Sequence, residues 1–190
     1  MTIRCDIYIV MRIMGIDASL ATVAVAIVDS GKLDNYKYFK PPKDGALVDR
    51  VIYARDWVRA YVKNRQPDTI VIEDYIRYLG GGSGAATVIP LAILNCSIQI
   101  GLKDIGYDVH TINVNTVRAR IKESTRPKKE EIPELVAKKL GIKFPWVYKK
   151  NGSIAAESYD IADAIAVAIS AIPLKKQDYL SGGVTPSGAP

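Results

Sequence analysis

The sequence predicts an α/β fold, a mixed five-stranded sheet flanked by helices. Three observations predict it. The chain opens with three β-like segments joined by tight turns; a short β-branched run at 69–73 sits between two helical patterns; and strand then alternates with helix to the end. Residues 12–17 and 21–29 read as the first two strands, the second rich in Val alternating with Ala. Ser30-Gly31-Lys32 marks a turn, and 33–39 supplies a third strand, giving an antiparallel meander that Pro41-Pro42 ends. From Leu47 to Val62 the apolar positions follow helical spacing, and 64–67 stops that helix. The run 69–73 ends in an acid and reads as a central buried strand. A glycine-rich stretch at 80–84 precedes an uncharged helix at 85–102, and 108–114 forms the fifth strand. Pro127 stands at the mouth of a helix at 130–140, which Gly141 stops. A basic, aromatic loop at 142–153 leads to a last, largely apolar helix at 155–172. The order is βββαβαβα with a small additional helix. Residues 1–11 read as a leader, 12–175 as one domain, and 176–190 as a flexible tail rich in Gly, Ser and Pro.

Composition narrows the function classes. A chain of 190 residues suits one domain with a substantial core. A net charge of +6 and a pI near 9.2 favour a polyanionic partner. Cys5 and Cys96 cannot build a disulfide framework; they suit a reducing, cytoplasmic setting as passive core or near-core residues. One histidine, His110, argues against zinc catalysis and a histidine-based triad. The leader is interrupted by Arg4, Asp6 and Arg12, so it does not read as an export signal. The uncharged stretch 84–102 raises the question of a membrane span, but Pro90, Asn95, Ser97 and Gln99 favour a buried core helix and no membrane.

The most informative residues are acids embedded in apolar sequence. Asp17 lies in RIMGIDASL, Glu73 in TIVIEDY, and Asp160 with Asp163 in YDIADAIAVAI. A buried carboxylate is costly unless something positive compensates it. Asp160 and Asp163 are three residues apart, hence neighbours on one face of a helix that is otherwise apolar nearly all round. Each acid alone has an ordinary reading: Asp17 a turn aspartate, Glu73 a solvated strand end, Asp160 a first-turn acid favoured by the helix dipole. Their combination in this order is far more specific, and a shared pocket for divalent cations explains it best. Hard carboxylate oxygens suit Mg²⁺ or Mn²⁺.

The segments GIDASLATVAVAIVD, VIEDY and YDIADAIAVAI resemble the RuvC family of Holliday junction resolvases, within the RNase H-like superfamily. The resemblance runs from about Arg12 to Ile172. It implies an RNase H-like fold in which Asp17, Glu73, Asp160 and Asp163 are catalytic and hold two Mg²⁺ per site, with Mn²⁺ able to substitute. It also implies a homodimer making symmetrical nicks in four-way or branched DNA, leaving 5′-phosphate and 3′-hydroxyl ends. The chain departs from the family pattern in the glycine run after Glu73, in residues 144–153 and in the leader. The family carries a junction wedge aromatic near here, a role the resemblance gives to Tyr75 or Tyr78.

Arg118, Arg120, Lys122, Arg126, Lys128 and Lys129 crowd the region after the fifth strand and read as a DNA-backbone surface. The resemblance implies an essential basic residue here, Lys128 or Lys129. Lys143, Lys149 and Lys150 with Trp146 and Tyr148 form a second basic, aromatic patch, suited to stacking unpaired bases. The glycines at 80–84 do not abut the strand as a dinucleotide fingerprint requires. The helix at 85–102 is the expected dimer interface. Other readings of the same acids are an RNase H-like nuclease acting on RNA–DNA hybrids or flaps, and a non-catalytic junction-binding protein. The strand-one aspartate of sugar kinases and actin is excluded by the lack of room for a second lobe.

Overall fold

A computed structural model describes residues 11–74, 84–122 and 127–172. Strands β1 (Arg12–Ala18), β2 (Val23–Asp29) and β3 (Lys32–Phe39) form the expected antiparallel meander. Ser30 and Gly31, with φ of 51° and 76°, make the left-handed hairpin turn that matches strand twist. Arg12 fastens the open end of the meander, its guanidinium reaching Asp29 and Asp34 and its backbone N–H donating to Asp68. Strand β4 (Thr69–Glu73) joins β1 in parallel, and β5 (Val109–Ile112) joins β4, giving the order β3-β2-β1-β4-β5.

Each face of this mixed sheet is covered by helices. Helices α1 (Leu47–Arg65) and α2 (Ala85–Lys103) pack on Met14, Ile16, Ile70 and Ile72. Helices α3 (Val114–Ile121), α4 (Ile132–Leu140) and α5 (Glu157–Ser170) pack on Ile13, Ala24, Ala26 and Val71. The alternation along β1 and β4 assigns those neighbours to opposite faces. Helix α5 lies against the middle of the sheet, with Ile161, Ile165 and Val167 fully buried. Burying each such side chain is worth about 1.5–3 kcal/mol.

The point of closest approach is Gly15 of β1. A Cβ there would collide with the Ala164 carbonyl oxygen and stand 2.5 Å from the Ala168 nitrogen. Glycine in a strand interior is what such an approach requires. Helix α5 answers with Ala164 and Ala168, one turn apart on the same ridge.

The observed bounds mostly lie within one to three residues of those expected. Strand β2 starts later because Ser19 and Thr22 close a tight turn, with Ser19 N–H donating to the Thr22 carbonyl at 2.9 Å. Gly141, at φ 64°, ends α4 as the sequence indicates. Three expectations need correction. Residues 114–121 form α3 where no helix was expected, because Asn113 leaves the strand and its side chain accepts the Asn115 N–H. Helix α2 is not a fully buried core helix. Leu94, Ile98 and Leu102 enter the core, while Ile89, Ile93 and Ile100 are exposed. Cys96 lies on that exposed side rather than in or near the core, and Cys5 falls outside the described residues.

Candidate active site

The sheet register carries two acids to one place. Asp17 alternates onto the face of Ile13 and Gly15, and Glu73 onto the face of Val71, both beneath α5. Ile16 pairs with Ile72 across the parallel β1–β4 seam, so the next residues, Asp17 and Glu73, are neighbours at the strands' carboxyl ends. Function collects at such ends. A slip of one residue in either strand would turn its acid to the other face.

Helix α5 supplies the other pair. Asp160 lies on the Ala164–Ala168 ridge, one turn nearer the helix start, with Asp163 beside it. Docking that ridge on Gly15 sets both acids over Asp17. Asp160 lies in the first helical turn, where the dipole favours negative charge.

The electrostatics register this convergence. The Asp17 carboxyl is held well above its usual range, first by burial and then by the charges of Asp163, Glu73 and Asp160. Burial, followed by the charge of Asp163, pushes Glu73 from 4.5 up to about 7, against the opposing pull of Arg118 and Lys129. Asp163 is likewise raised, chiefly by burial, although Lys129 and Arg118 pull it down. The other three acids that the sequence singled out therefore all act on Asp17.

A cation already answers part of that field. Lys129 Nζ lies 3.2 Å from Asp160 Oδ1 and 3.4 Å from Asp163 Oδ2. Burial lowers its proton affinity, but Asp163 and Asp160 more than offset this and keep the ammonium charged. Among the described residues, no three His, Cys, Asp or Glu side chains close into a ready-formed metal centre. The ammonium sits between the two helix acids instead. An all-carboxylate donor set with unmet negative charge fits a hard divalent cation such as Mg²⁺ or Mn²⁺.

The basic candidates divide. Arg118 and Lys129 act on the acids directly. Arg120 points to the opposite end of α5, where it donates to the Ser170 carbonyl. Lys122 and Lys128 are exposed, and the Lys128 backbone N–H donates to Glu131 at 2.7 Å. Arg126, Tyr75 and Tyr78 lie outside the described residues. Two neighbours escaped the sequence reading. Glu157, buried at the start of α5, forms an ion pair with Lys40, and Gly15 sets the docking of the helix. Both carry a signal: Glu157 is three residues before Asp160, and a strand-interior glycine marks close approach.

This sheet order and helix arrangement, with the acids at the β1–β4 seam, are those of an RNase H-like fold. Within that class the chain is similar to RuvC proteins. It is 26% identical over 165 residues to the crossover junction endodeoxyribonuclease RuvC of Mycobacterium tuberculosis (strain ATCC 25177 / H37Ra), covering 84% of the chain and 80% of the relative. To the RuvC of Mycobacterium avium (strain 104) it is 25% identical, with the same coverage. The structure is similar to T. thermophilus RuvC in complex with a Holliday junction substrate, with a TM-score of 0.64 at 17% identity, over 84% of this chain and 91% of that one. It is also similar to the yeast mitochondrial Holliday junction resolvase Ydc2, with a TM-score of 0.57 at 14% identity, over 87% of this chain and 79% of that one. These structural likenesses bear out the RNase H-like fold. No family model matches the chain.

Proposed function

We propose that the protein is a metal-dependent Holliday junction resolvase, a crossover junction endodeoxyribonuclease that nicks four-way or branched DNA. The observation that carries the reading is the mutual field of Asp17, Glu73 and Asp163, with Asp160 on the same ridge, in a chain similar to RuvC. These four acids would hold two Mg²⁺ ions, with Mn²⁺ able to substitute. Bound there, the metal would supply charge neutralisation of the scissile phosphate and activation of the attacking water.

The chain's own groups do the rest. Lys129 neutralises Asp160 and Asp163, and its ammonium would be available to pair with a phosphate oxygen were those acids engaged by a bound cation. Arg118 adds a second positive charge facing Glu73 and Asp163. Lys122 and Lys128, both exposed, would extend the contact along the DNA backbone, as would Arg126. Tyr75 and Tyr78, two and five residues after Glu73, are the wedge candidates. Products carry 5′-phosphate and 3′-hydroxyl ends.

Symmetrical incision needs two sites facing one junction, so the working unit is a homodimer. Ile89, Ile93 and Ile100 of α2 supply its apolar contact, and exposed Val48, Ile52 and Tyr53 of the adjoining α1 enlarge the apolar surface. That use of α2 accounts for its exposed apolar side without a membrane. The test is incubation with a labelled mobile four-way junction, with and without Mg²⁺, mapping incisions on all four strands beside flap and RNA–DNA hybrid controls. Paired, metal-dependent nicks on opposite strands support the reading. Preferential cutting of the hybrid or the flap, or binding without any cutting, overturns it.

A further inference from the structure

The segment between α4 and α5 is a built hairpin. Tyr148 and Ile154 form an antiparallel bridge; Lys149 N–H donates to the Ser153 carbonyl at 2.8 Å, and Ala155 N–H to the Val147 carbonyl at 2.9 Å. Gly152, at φ 81°, makes the turn. Its base is bolted to α5. Ser158 Oγ accepts the Val147 N–H at 2.9 Å and donates to the Val147 carbonyl at 3.1 Å. Trp146 packs edge-on to Phe144 and to Tyr159, the residue preceding Asp160. The hairpin is thus referenced to the helix turn that carries the acid pair.

The aromatics of the segment have separate tasks. Phe144 is buried in the core and Trp146 packs against it, so both are structural. Tyr148 is 60% exposed, in a bridge to Ile154 with the backbone of Val147 and Lys149 hydrogen-bonded on either side of it in sequence. Such an aromatic presents a face without losing much conformational freedom on contact. Its surroundings select the partner. Lys149 and Lys150 follow it, Lys143 precedes it, and the stretch 142–156 holds no acid at all. A flat π-face among lysines, on a segment anchored beside Asp160 through Trp146 and Tyr159, suits nucleic acid whose bases are exposed while its backbone is neutralised.

We infer that the hairpin at 147–155 is a branch-point finger: Tyr148 stacks on an unpaired or unstacked base beside the cleavage site while Lys149 and Lys150 hold the adjoining phosphates. The inference rests on the resolvase reading and deepens it, since a continuous duplex offers no free base face and a junction centre does. The finger belongs to α5 and is separate from the wedge candidates Tyr75 and Tyr78.

The test is binding by the full chain in Ca²⁺, so that its outcome does not depend on cleavage and is distinguishable from a failure of the nuclease reading. Wild type, Tyr148→Ala, Tyr148→Phe and the Lys149→Ala/Lys150→Ala pair are titrated onto a four-way junction carrying 2-aminopurine at the crossover, and onto a matched linear duplex. Tyr148→Ala should bind the junction about tenfold more weakly, leave duplex affinity unchanged, and lose the quenching of 2-aminopurine. Tyr148→Phe should restore both. The lysine pair should weaken both DNAs and flatten the salt dependence. Melting temperature controls for folding, and an exposed ring should not move it. The inference is overturned if Tyr148→Ala matches wild type on the junction, or weakens junction and duplex alike.

Discussion

Glu73→Gln should make the metal-free protein more stable while abolishing cleavage. The Glu73 carboxyl titrates near 7 in the fold against 4.5 when unperturbed, because burial and the charge of Asp163 oppose its ionisation. Each pH unit of that displacement costs about 1.4 kcal/mol, so ionised Glu73 withholds up to about 3 kcal/mol from the native state. The sign follows from proton binding. Between 4.5 and about 7 the native state holds a proton that the unfolded chain has released, so this group makes stability fall as pH rises through that window. Above about 7 the deficit is complete. A neutral, isosteric amide removes it, and at about 2–4 °C per kcal/mol for a domain of this size, the variant should melt about 6–12 °C higher at pH 8. At pH 4 the two proteins should melt together. The assay is thermal unfolding in EDTA from pH 4 to 8, with Mg²⁺ added back in a second series. Metal should narrow the gap by stabilising wild type and not the variant. Equal pH slopes for the two proteins would refute the reasoning, because Glu73 would then be neither desolvated nor in the field of Asp163.

Three further outcomes follow from the same geometry. Asp17→Asn should abolish nicking yet leave junction binding in gel-shift intact, since it removes an acid beneath the phosphate and no contact along the arms; near-normal nicking would remove Asp17 from the site. Gly15→Ala should cost about 1–3 kcal/mol from overpacking, because the new methyl meets the α5 backbone rather than a yielding side chain. It should also reduce nicking well beyond the fraction unfolded, since it lifts Asp160 and Asp163 away from Asp17, which single-turnover rates at matched folded protein would reveal. Ile93→Glu should yield a monomer in sedimentation at micromolar concentration, and that monomer should nick one strand per binding event instead of two.

How legible this was in the sequence depended on whether the signal was periodic or relational. Strand β4 could be read to the residue, because TIVIE is a short β-branched run ending in an acid. The four acids stood out because each interrupts apolar sequence, and the fold brings the other three to act on Asp17. Helix α3 was missed because Arg118 and Arg120 drew the segment into a basic surface. Yet Val114, Val117 and Ile121 are at helical spacing, and Asn113 is a good cap. Lys129 could be picked as basic, but nothing local says that it bridges Asp160 and Asp163 from 31 residues away in sequence. The exposed side of α2 was hidden for another reason. Its composition is apolar nearly all round, and only the packed structure distinguishes Leu94 and Ile98, buried, from Ile93 and Ile100, exposed.

Helix α5 links these parts. Its ridge of Asp160, Ala164 and Ala168 both docks on Gly15 and carries one of the four candidate acids, so the packing of small residues fixes where the acids stand. Its first turns also hold the hairpin through Ser158 and Tyr159, and take the Lys40 ion pair through Glu157. A rigid helix gives tighter placement than a loop, and misplacement by about 1 Å can cost 100-fold in rate. The acid pair and the exposed Tyr148 are therefore positioned by one element. A substitution that shifts α5 on the sheet should move both together, losing cleavage and junction preference in parallel. One that cuts the Ser158 contacts alone, Ser158→Ala, should loosen the finger and spare the acids. Its signature would be reduced discrimination between junction and duplex with the rate on bound junction retained; a matching loss of both would place the hairpin's support elsewhere.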